Sequence, residues 1–339
     1  MKILIIGGGG AIGGFLAVQL ARAGNQVTVV ARGATLKAIR EKGITLITEE
    51  HPDGITGPIR VEEKITDCGI QDLIIIAVKA HQLTQIAHWI PEVMGPETVV
   101  IPMQNGIPFW YFQRHGGEFE GRTVETVDPG AVIMNTIDPK AIIGCVVYPA
   151  AVNEAPGVIR HVEGVRFPIG ELDGSMSERA QRISDAFVAA GFKSPVLDNI
   201  RAEIWLKLWG NMTFNPISAL THGTLAEICQ YPLTRQLAFD MMSEGQAVAN
   251  KLNITFRVTI EKRIDGAEKV GHHKTSMLQD VEAGRELEVD ALLASVIELG
   301  KIIGVPTPRL EAVYALCMLL HTSYGQSGAG LSLPSRHAH

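Results

Sequence analysis

The chain has 339 residues, 46% of them apolar, and a formal charge of −6. That length exceeds what one ordinary hydrophobic core organises, so two domains are expected, and neither a Lys/Arg-rich run nor a basic stripe offers nucleic acid an electrostatic footing. Cys68, Cys145, Cys229 and Cys317 lie far apart with no C-x-x-C spacing, which argues against a thiolate metal cluster or a disulfide framework and for a reducing cytoplasm.

One lysine precedes the apolar run at residues 3–6, which is too short for a signal peptide and reads as a first strand. No stretch reaches the roughly 18 apolar residues that span a bilayer, so no membrane partner is expected. The strand feeds directly into Gly7-Gly8-Gly9-Gly10-Ala11-Ile12-Gly13-Gly14, and a helix follows over 15–23. Gly8, Gly10 and Gly13 satisfy G-x-G-x-x-G, although four successive glycines also allow the register to start at Gly7. Between a strand and a helix, the first glycine permits a tight turn and the second lets the backbone of Gly10, Ala11 and Ile12 approach a pyrophosphate; the third packs helix on sheet. The helix N-terminus then faces the negative charge.

A second strand over 26–30 ends in Ala31-Arg32, where an NAD-binding chain would place Asp or Glu for the ribose 2′-hydroxyl. Arg32 instead offers a forked guanidinium to a 2′-phosphate, which favours NADPH/NADP over NADH, with a solvated loop arginine as the plain alternative. Lys37 and Arg40 read as surface charges. Strands at 73–78 and 98–101 are followed by Lys79 and Asn105, at the carboxyl edge where open α/β sheets bind ligands, so both are placed by the nicotinamide half. His81 reads as structural or solvent-facing.

Shorter runs at 141–147, 158–162 and 166–170 suggest an antiparallel extension whose last two members form a hairpin. An amphipathic helix over 177–190 ends at Gly191, and 194–197 returns as an edge strand. From Asp198 long helical segments begin at Ile200, Leu233, Thr259 and Val289, with Asp198 or Asn199 able to cap the first. The expected fold is α/β, an N-terminal Rossmann-type doubly wound sheet over 1–197 with a C-terminal all-helical domain over 198–325, then a Gly/Ser-rich disordered tail over 326–339.

Lys207, Asn211 and Asn215 are spaced i, i+4, i+8, so they line one helix face. Spacing alone makes them solvated polar surface, but Ile204, Trp205, Leu208 and Trp209 flank the row. His272-His273 lacks the acidic or Cys partners of a metal site, and no metal is expected.

The segments Ala77-Val78-Lys79-Ala80-His81-Gln82, Gln104-Asn105-Gly106, Ile204-Trp205-Leu206-Lys207-Leu208 with Asn211 and Asn215-Pro216, Ser276-Met277-Leu278-Gln279-Asp280 and Glu288-Val289-Asp290 occur in that order. In them the chain resembles the ketopantoate reductases, which reduce 2-dehydropantoate to pantoate for pantothenate and coenzyme A. The resemblance covers nearly the whole chain and implies a 6-phosphogluconate-dehydrogenase-like helical domain, NADPH as cofactor and a small-molecule 2-keto acid as partner. It makes Lys207 the general acid and gives Asn211, Asn215 and Ser276 to the substrate, with Glu288 at the substrate or a cofactor ribose.

Two features depart from the family pattern: a glycine loop one residue longer, and a longer segment over 106–149 whose Trp110, Tyr111 and Phe112 would reshape the pocket beside the nicotinamide. Another 2-keto acid reduced to a D-2-hydroxy acid stays open, as do a non-catalytic NADP(H)-binding regulator and a hydroxyacid or polyol-phosphate dehydrogenase. A phosphate substrate would want cations beyond Lys207, the one cation seen on that helix face. The apolar late helix over 313–320 can pair across a homodimer.

Overall fold

Strands covered on both faces need apolar side chains at every position, and the N-terminal half supplies them. In the computed structural model, which describes residues 1–325 and residue 330, Ile3, Leu4 and Ile5 are fully buried, as are Leu73, Ile74, Ile75 and Ile76. The tail expected to be disordered, 326–339, otherwise lies outside the described residues. In chain order come β1 (Lys2–Ile6), α1 (Ala11–Arg22), β2 (Gln26–Val30), α2 (Gly33–Lys42), β3 (Thr45–Ile47), β4 (Ile59–Glu62), β5 (Gln71–Ile76), α3 (Ala80–Ile86) and β6 (Met94–Pro102). One parallel sheet runs β4-β2-β1-β5-β6, with Ile3 opposite Val27 on one side and Leu73 on the other. The strand order reverses between β1 and β5, the switch point of a Rossmann-type sheet.

The expected hairpin of 158–162 with 166–170 does not form. Instead β8 (Ala150–Ala155) pairs antiparallel with β9 (Val158–Glu163), and β10 (Ile169–Glu171) pairs antiparallel with β7 (Ile143–Cys145). The two-residue link Pro156-Gly157, with Gly157 at φ +77°, is the tight turn, and β8 escaped notice because its mostly exposed Ala/Asn/Glu face carries no apolar alternation. β9 also pairs in parallel with β3, and its Ile159 packs so close to Gly14 that a Cβ there would lie 2.7 Å away. Residues 193–197 run parallel to 165–169, with Phe167 N donating to Lys193 O at 2.8 Å and Ile169 N to Pro195 O at 3.0 Å. Before them, Ser177 caps α4 (Glu178–Ala189) by accepting from Ala180 N at 3.1 Å.

The chain divides into two compact units, Met1–Thr123 with Asp128–Glu203, and Val124–Val127 with the residues from Ile204 onward. The division falls inside α5 (Ile200–Thr221), whose start is capped by Asn199: its Oδ1 accepts from Ala202 N at 3.0 Å. Next come α6 (Leu225–Gln230), α7 (Pro232–Lys251), α8 (Ile260–Val270), α9 (Ser276–Glu282), a π-helical turn over Asp290–Ala294, α10 (Ser295–Ile303) and α11 (Pro308–Gly325). Trp209 anchors α5 to α7. Its Nε1 donates to Met242 O at 2.8 Å while Phe256 stacks on its ring at 4.0 Å, and Gly245 of α7 leaves space for the Met212 thioether.

Trp110, Tyr111 and Phe112 are no pocket loop. They are 1%, 0% and 0% exposed, so the aromatic insertion belongs to the core of the first unit. Its organising contact is Arg201, whose guanidinium donates to the carbonyls of Tyr111 (2.8 Å), Gln113 (2.7 Å) and Leu172 and lies 5.6 Å from the Trp110 ring centroid. Burial pulls the Arg201 pKa down, yet three carbonyls and two aromatic faces surround the cation. Removing it strands those carbonyls without a donor. Arg201→Met is therefore expected to destabilise the protein by about 3–5 kcal/mol, read as a lower midpoint of urea unfolding; an unchanged midpoint would show that the insertion holds itself.

Candidate active site

Five parallel strands deliver their carboxyl ends to one edge of the sheet. After β1, Gly7 takes φ +88°, and a Cβ on it would sit 2.9 Å from the Ala77 and Val78 backbone at the exit of β5. A Cβ on Gly8 would lie 2.5 Å from Val29 of β2, one on Gly10 3.2 Å from the Gly7 carbonyl oxygen, and one on Gly13 would collide with that same oxygen. Gly13 thus lets α1 pack directly on the turn. Helix α1 opens at Ala11 behind Gly10, with no side-chain cap and no acid in its first turn. Its leading N–H groups, those of Ala11, Ile12 and Gly13, suit an anion, and the cradle has the shape that a dinucleotide diphosphate needs.

Arg32 stands exposed past the end of β2 and before α2. Lys79 is half-buried past β5, with its backbone N–H donating to Gln82 Oε1 at 3.2 Å, and Asn105 is half-buried past β6. The sequence left Gln104 without a role. Its Nε2 donates to Ile76 O at 3.0 Å and Val78 O at 2.9 Å, which ties the exit of β5 to the exit of β6 and so sets Lys79 and Asn105 on adjoining loops.

The remaining candidates lie in the second unit. Between 207 and 219, α5 is buried at every position except Lys207 and Asn211, which are half-exposed. Asn215, the third rung, is 6% exposed, and its Nδ2 donates to Ser276 Oγ at 3.4 Å. Ser276 opens α9, whose cap is Thr275 accepting from Leu278 N at 3.3 Å. Glu288 is half-buried between the buried Leu287 and Val289, just ahead of the π-helical turn, a wide backbone form that recurs at functional sites.

One residue of this neighbourhood went unread in the sequence. Arg263 of α8 lays its guanidinium against Gly210: a Cβ on that glycine would collide with Nη2 and lie 3.2 Å from Cζ. The available signal was Gly210 itself. A glycine inside a helix costs about 1 kcal/mol relative to alanine and marks a close approach. Elsewhere, His272 Nδ1 lies 3.3 Å from Thr224 Oγ1, and among the described residues no group of three His, Cys, Asp or Glu side chains is placed to hold a metal ion.

Residues 3–174 match the family model described as ketopantoate reductase PanE/ApbA, and residues 199–321 match its C-terminal counterpart. This chain belongs to the ketopantoate reductase family. It is 49% identical to the 2-dehydropantoate 2-reductase of Mesorhizobium japonicum over 96% of this chain and 99% of that protein. A solved structure from Ralstonia solanacearum MolK2 is 38% identical with a TM-score of 0.90, covering 95% of this chain and 98% of its own. The 2-dehydropantoate 2-reductase structure from Methylococcus capsulatus is 27% identical with a TM-score of 0.80, covering 96% and 98%. The protein is an oxidoreductase with a Rossmann-type N-terminal fold and a helical C-terminal region. No helix among the described residues is long and apolar enough to cross a membrane.

Proposed function

We propose that this protein reduces 2-dehydropantoate to pantoate with NADPH, working in the cytoplasm as a homodimer. The observation that carries the reading is the row Lys207, Asn211, Asn215: an ammonium and an amide left half-open on a helix otherwise buried, with the third rung bonded to Ser276. That row lies in a chain 49% identical to a 2-dehydropantoate 2-reductase.

Reducing a ketone requires hydride at carbon and a proton at oxygen. A bound reduced nicotinamide supplies the hydride. Lys207 polarises the carbonyl and delivers the proton to its oxygen, and Glu288 contacts the substrate or a cofactor ribose. The Asn211 and Asn215 amides hold the substrate's polar groups without adding charge, and the Ser276 hydroxyl donates to its carboxylate. In the first unit the turn from Gly8 through Gly13 holds the diphosphate, Arg32 the 2′-phosphate, and Lys79 and Asn105 the nicotinamide half. Homodimerisation is assigned to α11, which buries Val313 and Cys317 while leaving Leu316 and Leu319 55% and 66% exposed.

Initial rates of NADPH oxidation with 2-dehydropantoate, set against branched and aromatic 2-keto acids, test the substrate; equal rates across the panel would defeat the assignment. With Arg32→Ala, the KM for NADPH should rise about 10- to 100-fold while that for NADH stays within about twofold, the worth of one charge-assisted fork. A cofactor preference untouched by this change would remove Arg32 from the site. Lys207→Ala should lower kcat by about 100- to 10,000-fold with NADPH affinity intact, as loss of a general acid does. Replacing both Leu316 and Leu319 by Glu should convert a dimer to a monomer in light scattering; a parent that is itself monomeric would end the dimer assignment.

A further inference from the structure

The keto acid of the proposed reaction carries a full negative charge, yet Ser276, the group so far given to its carboxylate, is neutral, as are the two asparagine amides, and Lys207 serves the carbonyl oxygen. A carboxylate taken out of water without a cation is strongly disfavoured. A second cation lies within one helical turn of Lys207, and a glycine is what admits it.

Gly210 is buried and has an ordinary negative φ, so backbone conformation does not require a glycine there. Space does. The guanidinium of Arg263 reaches across from α8 and lies along the α5 backbone, with Cζ 3.2 Å and Nε 3.6 Å from where a Cβ would stand. At 100° per residue, Gly210 lies about 60° to one side of Lys207 and Asn215 about 80° to the other. The row of Lys207 and Asn211 is therefore bordered by a guanidinium on one flank and by the Asn215–Ser276 pair on the other. A planar fork is the side chain best matched to a carboxylate, where a lysine would bring only a point charge.

We propose that Arg263, rather than Ser276, is the substrate-binding residue that takes the carboxylate of the 2-keto acid, which leaves Ser276 on the opposite flank to the substrate's other polar groups, and that Gly210 is the small residue that lets Arg263 reach the row. The inference rests on the reductase reading and deepens it: the site selects 2-keto acids by charge on one flank of α5, while proton delivery stays with Lys207.

Steady-state kinetics of the full-length enzyme, with Arg263→Met, Arg263→Lys, Gly210→Ala and the Gly210→Ala/Arg263→Met pair, test it against 2-dehydropantoate and its uncharged methyl ester. Arg263→Met should raise the KM for the acid about 10- to 100-fold, the range of a charge-assisted bond, with kcat within about threefold and NADPH affinity unchanged. Arg263→Lys should recover part of that loss. The parent should prefer the acid over the ester, and Arg263→Met should abolish the preference. Gly210→Ala should reproduce the KM rise on its own and add nothing in the Arg263→Met background, as expected of two changes that remove one contact. A folded Arg263→Met enzyme that keeps both its KM and its preference for the acid overturns the inference and leaves the reductase reading standing. A parent that oxidises NADPH with no 2-keto acid overturns both.

Discussion

A Cβ at Gly13 would collide with the carbonyl oxygen of Gly7, and the turn between β1 and α1 depends on that close approach. Only with no Cβ at position 13 can α1 settle on the turn that precedes it, and only then does the uncapped start of the helix meet the carboxyl edge of the sheet at the switch point. Gly7 repeats the constraint from the other side, because its left-handed backbone lies against Ala77 and Val78 at the exit of β5. The Gln104 amide then ties that exit to the exit of β6. Three neighbouring strand ends are thus fixed by backbone contact and one side-chain amide, so Lys79 and Asn105 are placed by the sheet rather than by loop preference.

In the second unit the constraint is burial. A helix sealed from Leu208 to Ala219 except at Asn211 cannot rotate or slide without exposing large side chains, among them the fully buried Trp209 and Met212. Truncating a buried tryptophan costs about 3–5 kcal/mol, so the Trp209 indole, bonded to Met242 O and stacked on Phe256, sets the rotation of α5 firmly. The first turn is held independently. Arg201 bonds three carbonyls there, and Glu203 accepts from Tyr148 Oη at 2.7 Å and pairs with Arg166, an arrangement in which burial and then the carboxylate push the tyrosine hydroxyl up. Lys207 follows one turn later on the same helix.

How much of this was legible follows from the range over which each signal acts. The strands β1, β2, β5 and β6 announce themselves as local apolar runs, and the glycine turn as a local spacing. The pairing of β8 with β9 is also local, but β8 reads Ala-Ala-Val-Asn-Glu-Ala and carries no burial pattern to read. Trp110, Tyr111 and Phe112 misled for a different reason: three adjacent aromatics look the same whether they line a pocket or enclose a cation, and the cation, Arg201, comes some 90 residues later. Arg263 was invisible because it acts on α5 from α8. Its trace was an absence, the missing side chain of Gly210, and an absence has meaning only once the neighbour is known.

Charge placement links these observations. A reductase of an anionic ketone needs positive charge at two points of the substrate, and one lysine cannot serve both without a compromise in geometry, since an ammonium held by the carboxylate is held away from the carbonyl oxygen. The proposed division of work between an ammonium and a planar guanidinium would resolve the conflict, with Lys207 facing the carbonyl oxygen and Arg263 the carboxylate. With the two on different helices, the distance between their backbones is set by how α5 and α8 pack. At Gly210 that packing is backbone against guanidinium with nothing between them.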